Sequence, residues 1–295
     1  MRKVNLILKA LGFVVIMGTD TMAYASSALS FMLENLGKTV VFTGSQIPFS
    51  EVYNDARRNL VVSLMMAMQE DFPEVCICFN DTVFRANRCV KVNSRDLEAY
   101  ESPNFPALAR LGVYTTQRLD LALPQPKAPF RVHKTLSSNI IVIKLTPGFD
   151  DETLLIIANH SKNLRAVVLE MYGAGNAPAE LKGDFIKALK TFQERGVICV
   201  AVSQCLRGGV KLEMYSLGSA FANVGVLSAG DMTTEACVTK IAYLFGRGAD
   251  NETVGQFLGT SIRGELTEDS LDTKYRVHST ELLNGTANGR KRPKL

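Results

Sequence analysis

Thr19, Asp20 and Thr21 put two hydroxyls and a carboxylate on three consecutive residues, directly after the apolar run Phe13-Val14-Val15-Ile16 and the pair Met17-Gly18. Such a cluster can do two different jobs. Its side-chain oxygens can cap a nearby helix by accepting backbone N–H bonds, and helical spacing does begin near Ser26. Alternatively, an amine brought from elsewhere can help a hydroxyl to act as a nucleophile or to activate an attacking oxygen. Lys91, with Arg85 and Arg88 nearby in sequence, is the candidate amine, and the turn Thr43-Gly44-Ser45-Gln46 is the other polar group of note. Residue types alone leave both jobs open.

The elements that would position these groups alternate between strand and helix. The run before Gly18 reads as a buried parallel strand that delivers polar groups to its C-terminal edge, where open α/β sheets bind ligands. Residues 26–36 read as a helix stopped by Gly37, 40–42 as a strand, 57–68 as a helix and 74–79 as a strand. That alternation argues for a parallel sheet with crossover helices. Pro124, Pro126 and Pro129 interrupt the pattern and mark a linker. Beyond it, strands at 140–145, 166–169 and 197–202 alternate with helices at 151–159, 185–195, 214–223 and 234–245.

Composition removes several classes of function. The chain of 295 residues is 46% hydrophobic, enough for one large or two ordinary cores. Its net charge of +4 comes from 33 basic and 29 acidic residues, with no basic stripe interleaved with aromatics of the kind that grips nucleic acid. No apolar stretch reaches the roughly 18 residues needed to span a bilayer. The basic head at Arg2-Lys3 runs straight towards the first strand without a cleavage site, so it does not read as a signal peptide. The six cysteines form no Cys-x-x-Cys pair and the three histidines are scattered, so the expectation is buried reduced thiols and no metal site. Two glycine motifs are decoys. Leu36-Gly37-Lys38-Thr39 lacks the glycine-rich turn of a phosphate cradle, and Gly173-Ala174-Gly175-Asn176-Ala177-Pro178 has proline where a dinucleotide fingerprint needs its third glycine. The latter reads as a tight loop at a strand end. No Gly-x-Ser-x-Gly elbow occurs.

The block from Gly12 to Tyr24 resembles a signature of the L-asparaginase family, in its cytosolic type I branch. The resemblance continues through Ser30–Leu36, Thr43–Pro48, Phe84–Lys91, Ser102-Pro103-Asn104, Tyr172–Pro178, Ala229–Ala236 and Arg263–Thr267, covering about residues 12–268. It implies hydrolysis of L-asparagine to L-aspartate and ammonia without a cofactor. Carried over by position, Thr19, Asp20 and Lys91 are the catalytic group, and Gly18, Thr19 and Asp20 bind substrate. Thr19 would orient or activate the attacking oxygen, Lys91 would lower its proton affinity, and Asp20 would hold Lys91 and the substrate amino group. Backbone N–H groups at the strand ends would stabilise the oxyanion.

The sequence also departs from that family. The family's first signature, Thr-Gly-Gly-Thr-Ile, carries the nucleophilic threonine and precedes a mobile loop with the catalytic tyrosine; neither occurs within residues 1–16. Met17 stands where the family has histidine, and Asn54-Asp55-Ala56 replaces Ser-Asp-Gly. Glu170 occupies a position where some bacterial relatives carry an arginine linked to allosteric control. The expected fold is α/β: two parallel-sheet α/β domains of the asparaginase kind, with the N-terminal one short of its first strand. Its parts are 1–118, a linker at 119–136, a second domain at 137–268 and a disordered polar tail at 269–295, whose basic end reads as solvated rather than as an import signal. A small amino-acid substrate, a cytoplasmic location and a homodimer or homotetramer are expected, with no nucleic-acid or membrane partner. The subunit contacts are expected near Ser203-Gln204-Cys205 and 231–235. A second reading, of a different class, is a non-catalytic member that binds asparagine or aspartate or pairs with other subunits. Lysophospholipase activity, attached to some animal relatives, is not expected in a chain with no serine elbow.

Overall fold

A computed structural model of the chain describes residues 10–69, 71–177, 183–214 and 216–267, in two compact units that divide between Lys134 and Thr135. The segment 1–9, Pro178 and the expected tail at 269–295 lie outside the described residues.

The first unit is built on a six-stranded sheet. Strands β1 (Gly12–Ile16), β3 (Thr39–Thr43) and β4 (Val75–Phe79) run parallel, with Gly12 opposite Thr39 and Val40 opposite Val75. Every residue of β3 and β4 is buried, as expected of continuous apolar runs covered on both faces. Alternation sorts their side chains. Val40, Phe42, Val75 and Ile77 pack on one face with Met22 and Ala23 of helix α1 (Met22–Met32). Val41, Cys76 and Cys78 pack on the other face with Val62 and Met66 of helix α2 (Ala56–Ala67).

The sequence reading needs four corrections here. The sheet is mixed: β5 (Thr82–Arg85), β8 (Ala109–Arg110) and β9 (Thr116–Gln117) extend it antiparallel from β4. The reversal between β4 and β5 is a two-residue turn at Asn80 and Asp81, both left-handed, which matches the twist of a hairpin. β1 is not fully buried, because among the described residues it pairs only with β3; Ile16 at its end is 66% exposed. Helix α1 starts and ends four residues earlier than expected. Leu33 and Glu34 (β2) instead pair with Arg131 and Val132 (β10), and the left-handed residue that reverses the chain is Asn35 rather than Gly37.

The proline-bearing stretch after β9 is held against the first unit by a buried charge pair. Arg85 Nε meets Glu74 Oε2 at 2.5 Å, with both side chains nearly inaccessible. Their remaining polar atoms reach the same stretch: Arg85 Nη2 donates to Leu121 O and Leu123 N donates to Glu74 Oε1.

The second unit is a parallel sheet ordered β11 (Ile140–Lys144), β12 (Ala166–Met171), β13 (Ile198–Ser203), β14 (Leu227–Ser228). Helices α3 (Asp151–His160), α4 (Gly183–Glu194), α5 (Ser216–Asn223), α6 (Thr234–Gly246) and α7 (Asn251–Leu258) complete it. The last helix was not part of the sequence reading, and β14 escaped it because it is only two residues long. Three helices start on side-chain caps: Asp150 accepts from Glu152 N, Thr233 from Ala236 N and Asp250 from Thr253 N. The segment after β12 is a tight loop, as expected, with Gly173 and Gly175 at φ 48° and 115° and Tyr172 bridged to Asn176.

Five of the six cysteines are buried and none forms a disulfide; Cys205 departs from the expectation by lying exposed. A second buried charge pair ties the segment after α7 to α6. Lys240 Nζ lies 2.6 Å from Glu265 Oε1 with neither side chain exposed, and it also donates to Thr260 O. Burial pushes the Glu265 carboxyl upward, but the Lys240 charge and hydrogen bond and the N–H groups of Ile262 and Arg263 outweigh it and hold the group below its usual range. A group with a lowered folded-state pKa stabilises the fold fully above its unfolded pKa of about 4.3 and loses that contribution as the pH falls through its folded value. Breaking the pair from one side should be costly. Lys240→Met is expected to cost about 3–5 kcal/mol in chemical denaturation, because it strands a buried carboxylate. Lys240→Met with Glu265→Gln should recover part of this loss, since a neutral amide oxygen still accepts the two backbone N–H bonds.

Candidate active site

The site forms where the tips of β1 and β3 meet. Met17 N donates to Thr43 O, which keeps the chain beside β3 for one residue beyond the strand. The approach is close: a Cβ on Gly44 would lie 2.4 Å from Met17 O, so this turn requires glycine. The chain then passes through Gly18, Thr19 and Asp20 before entering α1. No side chain caps that helix; its N-cap position is Thr21, which makes no side-chain capping bond. The capping role open to Thr19 and Asp20 is therefore not theirs.

Their side chains turn instead to Lys91, 72 and 71 positions away. Lys91 Nζ donates to Thr19 Oγ1 at 2.8 Å and to Asp20 Oδ1 at 2.7 Å. Lys91 is carried on β6 (Val90–Lys91), paired antiparallel with β7 (Tyr100–Glu101) so that Lys91 faces Tyr100 in register. The lysine side chain is 17% exposed while the Asp20 side chain is 92% exposed, so the ammonium is held from within and the carboxylate opens to solvent. The hydrogen bond and charge of Lys91 keep the Asp20 carboxyl below its usual range.

Three further residues hold this group: Gln46, from the turn already noted in the sequence, and Tyr100 and Asp55, to which the sequence reading gave no part in the site. The Tyr100 hydroxyl donates to Thr19 O, and the Tyr100 ring packs on Phe79 with centroids 5.0 Å apart. Burial, helped by Cys89 and Asp20, pushes the Tyr100 phenol well above its usual range, which keeps it a donor. Gln46 Oε1 accepts from Thr19 Oγ1 at 3.3 Å. Asp55 fixes the Gln46 turn by accepting the N–H groups of Gln46 and Ile47, each at 3.0 Å. Gln46 and Asp55 were visible as part of motifs, but the pairing of Tyr100 with Lys91 depends on a hairpin register that no local pattern reveals.

Arg85 and Arg88 do not join the group. Arg85 is engaged with Glu74, and both guanidiniums stand over the Phe105 ring, at 4.4 and 5.2 Å from its centroid. Beside Thr19 lies a largely apolar cavity of about 480 Å³, whose lining includes Ile16, Gly18, Ser45, Gln46, Phe49 and Leu60. Among the described residues no cluster of three histidine, cysteine, aspartate or glutamate side chains is placed to hold a metal ion. No described helix is long and apolar enough to cross a membrane.

An amine bridging a hydroxyl and a carboxylate at strand tips is an arrangement suited to hydrolytic chemistry, and the chain as a whole matches a known family. Residues 2–123 match the asparaginase N-terminal domain and residues 139–258 the glutaminase/asparaginase C-terminal domain. L-asparaginase 1 of Escherichia coli K12 is 38% identical over 259 residues, spanning 88% of this chain and 75% of that protein. The chain belongs to the asparaginase family. The likeness extends to solved structures: L-asparaginase I of Vibrio cholerae superposes with a TM-score of 0.80 at 36% identity, over 90% of this chain and 79% of that one. The chain is also similar to a human protein named 60 kDa lysophospholipase, 40% identical over 89% of this chain but matched over only 45% of that protein's length. The resemblance drawn from residues 12–268 thus holds, as does the α/β fold of asparaginase type.

The lowered Asp20 pKa has a direct readout. The Lys91–Asp20 pair is expected to be fully formed above about pH 3.9, the unperturbed carboxyl value, and to be lost as the pH falls through the lower folded-state value. Carbon-detected NMR titration of the Asp20 carboxyl should give a midpoint below about 3.9, and Lys91→Met should return it to that value. A midpoint at or above 3.9 in the unaltered chain would remove the ion pair from the site.

Proposed function

We propose that this asparaginase-family chain hydrolyses the side-chain amide of L-asparagine, taking up water and releasing L-aspartate and ammonia. The observation that carries the reading is the Lys91 ammonium, bonded at once to the Thr19 hydroxyl and the Asp20 carboxylate. Lys91 favours negative charge developing on Thr19 Oγ1, lowering the proton affinity of the hydroxyl. Thr19 orients or activates the oxygen that attacks the amide carbon, and the departing nitrogen leaves as ammonia. Asp20 accepts a bond from Lys91 with one oxygen and, being exposed, has its other face available to the α-ammonium of a free amino acid. Gly18 leaves open space at the tip of β1, since nothing lies within 4 Å of a Cβ built on it. The activity named for the Escherichia coli and Vibrio cholerae relatives supports the same substrate.

The residues named here require no cofactor. The family relation also supports a homodimer or homotetramer, which light scattering reads directly. Buried, unbridged thiols support a reducing, cytoplasmic setting.

The test is ammonia release from L-asparagine by the purified chain, with L-aspartate affinity measured by calorimetry on the same sample. Turnover is expected, with Lys91→Met lowering kcat/KM by about 10²–10⁴-fold and Thr19→Ala by about 10³-fold or more. Aspartate binding without turnover would replace hydrolysis by the non-catalytic, ligand-binding reading. Neither turnover nor binding would sink both.

A further inference from the structure

We infer that Gln46 is a positioning residue that sets the direction of the Thr19 hydroxyl proton, and with it the side-chain rotamer of Thr19. The inference deepens the reading of Thr19 as the hydroxyl that orients or activates the attacking oxygen and rests on that reading for its catalytic consequence. Its structural part stands without it.

A threonine hydroxyl has one proton to donate and two lone pairs to accept with, whereas a lysine ammonium only donates. The 2.8 Å bond from Lys91 Nζ therefore consumes a lone pair on Thr19 Oγ1 and leaves the hydroxyl proton needing an acceptor elsewhere. Gln46 Oε1, 3.3 Å away, supplies it. The amide orientation follows from its surroundings. Gln46 Nε2 faces two backbone carbonyls, Asn93 O at 3.4 Å and Asp96 O at 3.1 Å, and a flipped amide would set oxygen against oxygen there. With nitrogen committed to those carbonyls, only the oxygen remains for Thr19.

The backbone beneath Gln46 is equally fixed. Asp55 accepts the N–H groups of Gln46 and Ile47, and Asn59 Nδ2 ties Asp55 Oδ2 to Gly44 O, with N···O distances of 3.1 and 3.0 Å. Asn93 and Asp96 belong to the turn that directly follows Lys91, where Asn93 Oδ1 accepts from Arg95 N and Asp96 N. One side chain thus joins the turn after β3 to the turn after the lysine strand and presents an acceptor to the hydroxyl between them. At 3.3 Å the Thr19–Gln46 bond is long, so it orients the resting hydroxyl and is readily surrendered when the proton must move.

Two variants separate the roles of Gln46. Gln46→Leu removes both the acceptor and the donor; Gln46→Glu keeps an acceptor oxygen and, near neutral pH, loses the donor. In substrate-free protein with methyl-labelled threonine, three-bond couplings to Cγ2 should report a single Thr19 rotamer in the unaltered chain and rotamer averaging in Gln46→Leu. In turnover, Gln46→Leu should lower kcat about five- to tenfold with KM little changed, the size expected for one neutral hydrogen bond acting at the reacting group. Gln46→Glu should retain the single rotamer, because a carboxyl oxygen accepts in either protonation state, and should add a limb to the pH profile in the carboxyl range, with activity rising as protonation restores a donor towards Asn93 O and Asp96 O. A merely structural role predicts equal losses in both Gln46 variants and no new limb. An unchanged single rotamer in Gln46→Leu overturns the inference whether or not the chain turns over. Absence of ammonia release and aspartate binding alongside the expected rotamer change would overturn the proposed function alone.

Discussion

The site depends on one positive charge placed between two segments that are distant in the chain. The Lys91 ammonium bonds to Thr19 and Asp20, and without it a hydroxyl and a carboxylate on adjacent residues would point where local geometry sent them, most simply to a helix end. The charge is useful because its surroundings are asymmetric. Lys91 is mostly shielded and held on a short paired strand, while Asp20 faces solvent. A fixed cation with an exposed partner is a site that a zwitterionic ligand can enter without first breaking the fold.

Both strands that meet at the site are anchored from behind. The full burial of β3 and β4, with alternate side chains packed on α1 and α2, sets the position of the β3 tip. The Met17–Thr43 bond and the contact requiring Gly44 then carry that position to the end of β1. On the other side, Tyr100 grips the Thr19 carbonyl from the strand paired with Lys91, so the residue that presents the amine and the residue that steadies the Thr19 backbone share one hairpin. Buried charge pairs do comparable anchoring work far from the site. Arg85–Glu74 holds the segment at Leu121–Leu123 within the first unit, and Lys240–Glu265 holds the segment after α7 in the second. In each, the remaining polar atoms meet backbone groups, the condition under which a buried ion pair is tolerated.

Membership in the asparaginase family and the local geometry support one another without being the same evidence. The family relation rests on identity over most of the chain and on superposition of the fold. The geometry rests on the bonds of Thr19, Asp20 and Lys91, and it further engages Gln46, Tyr100 and Asp55, which belong to no catalytic set drawn from the resemblance. The departure at Met17 has a visible accommodation: its backbone N–H serves the β1–β3 junction, and its side chain packs against the cluster under that face of the sheet.

Much of this was legible in the sequence, for local reasons. Apolar runs such as Val75–Phe79 read as buried strands because a covered parallel strand needs no polar face, and α4 read as a helix because its apolar residues recur at helical spacing. The Thr-Asp-Thr cluster was visible as chemistry because three reactive side chains stand together in the chain. What remained hidden were facts about strand pairing. The early end of α1, where Leu33 and Glu34 meet Arg131 and Val132, is decided by a partner far along the chain, whereas the antiparallel half of the first sheet and the placing of Tyr100 opposite Lys91 are decided by hairpin registers that residue types do not specify. Sequence determined which groups were available and which strand ends would carry them. Residue types by themselves left open whether Thr19 and Asp20 cap a helix or meet an amine; the resemblance pointed to Lys91, and the contact itself is a tertiary fact, because it depends on where residue 91 lies in space.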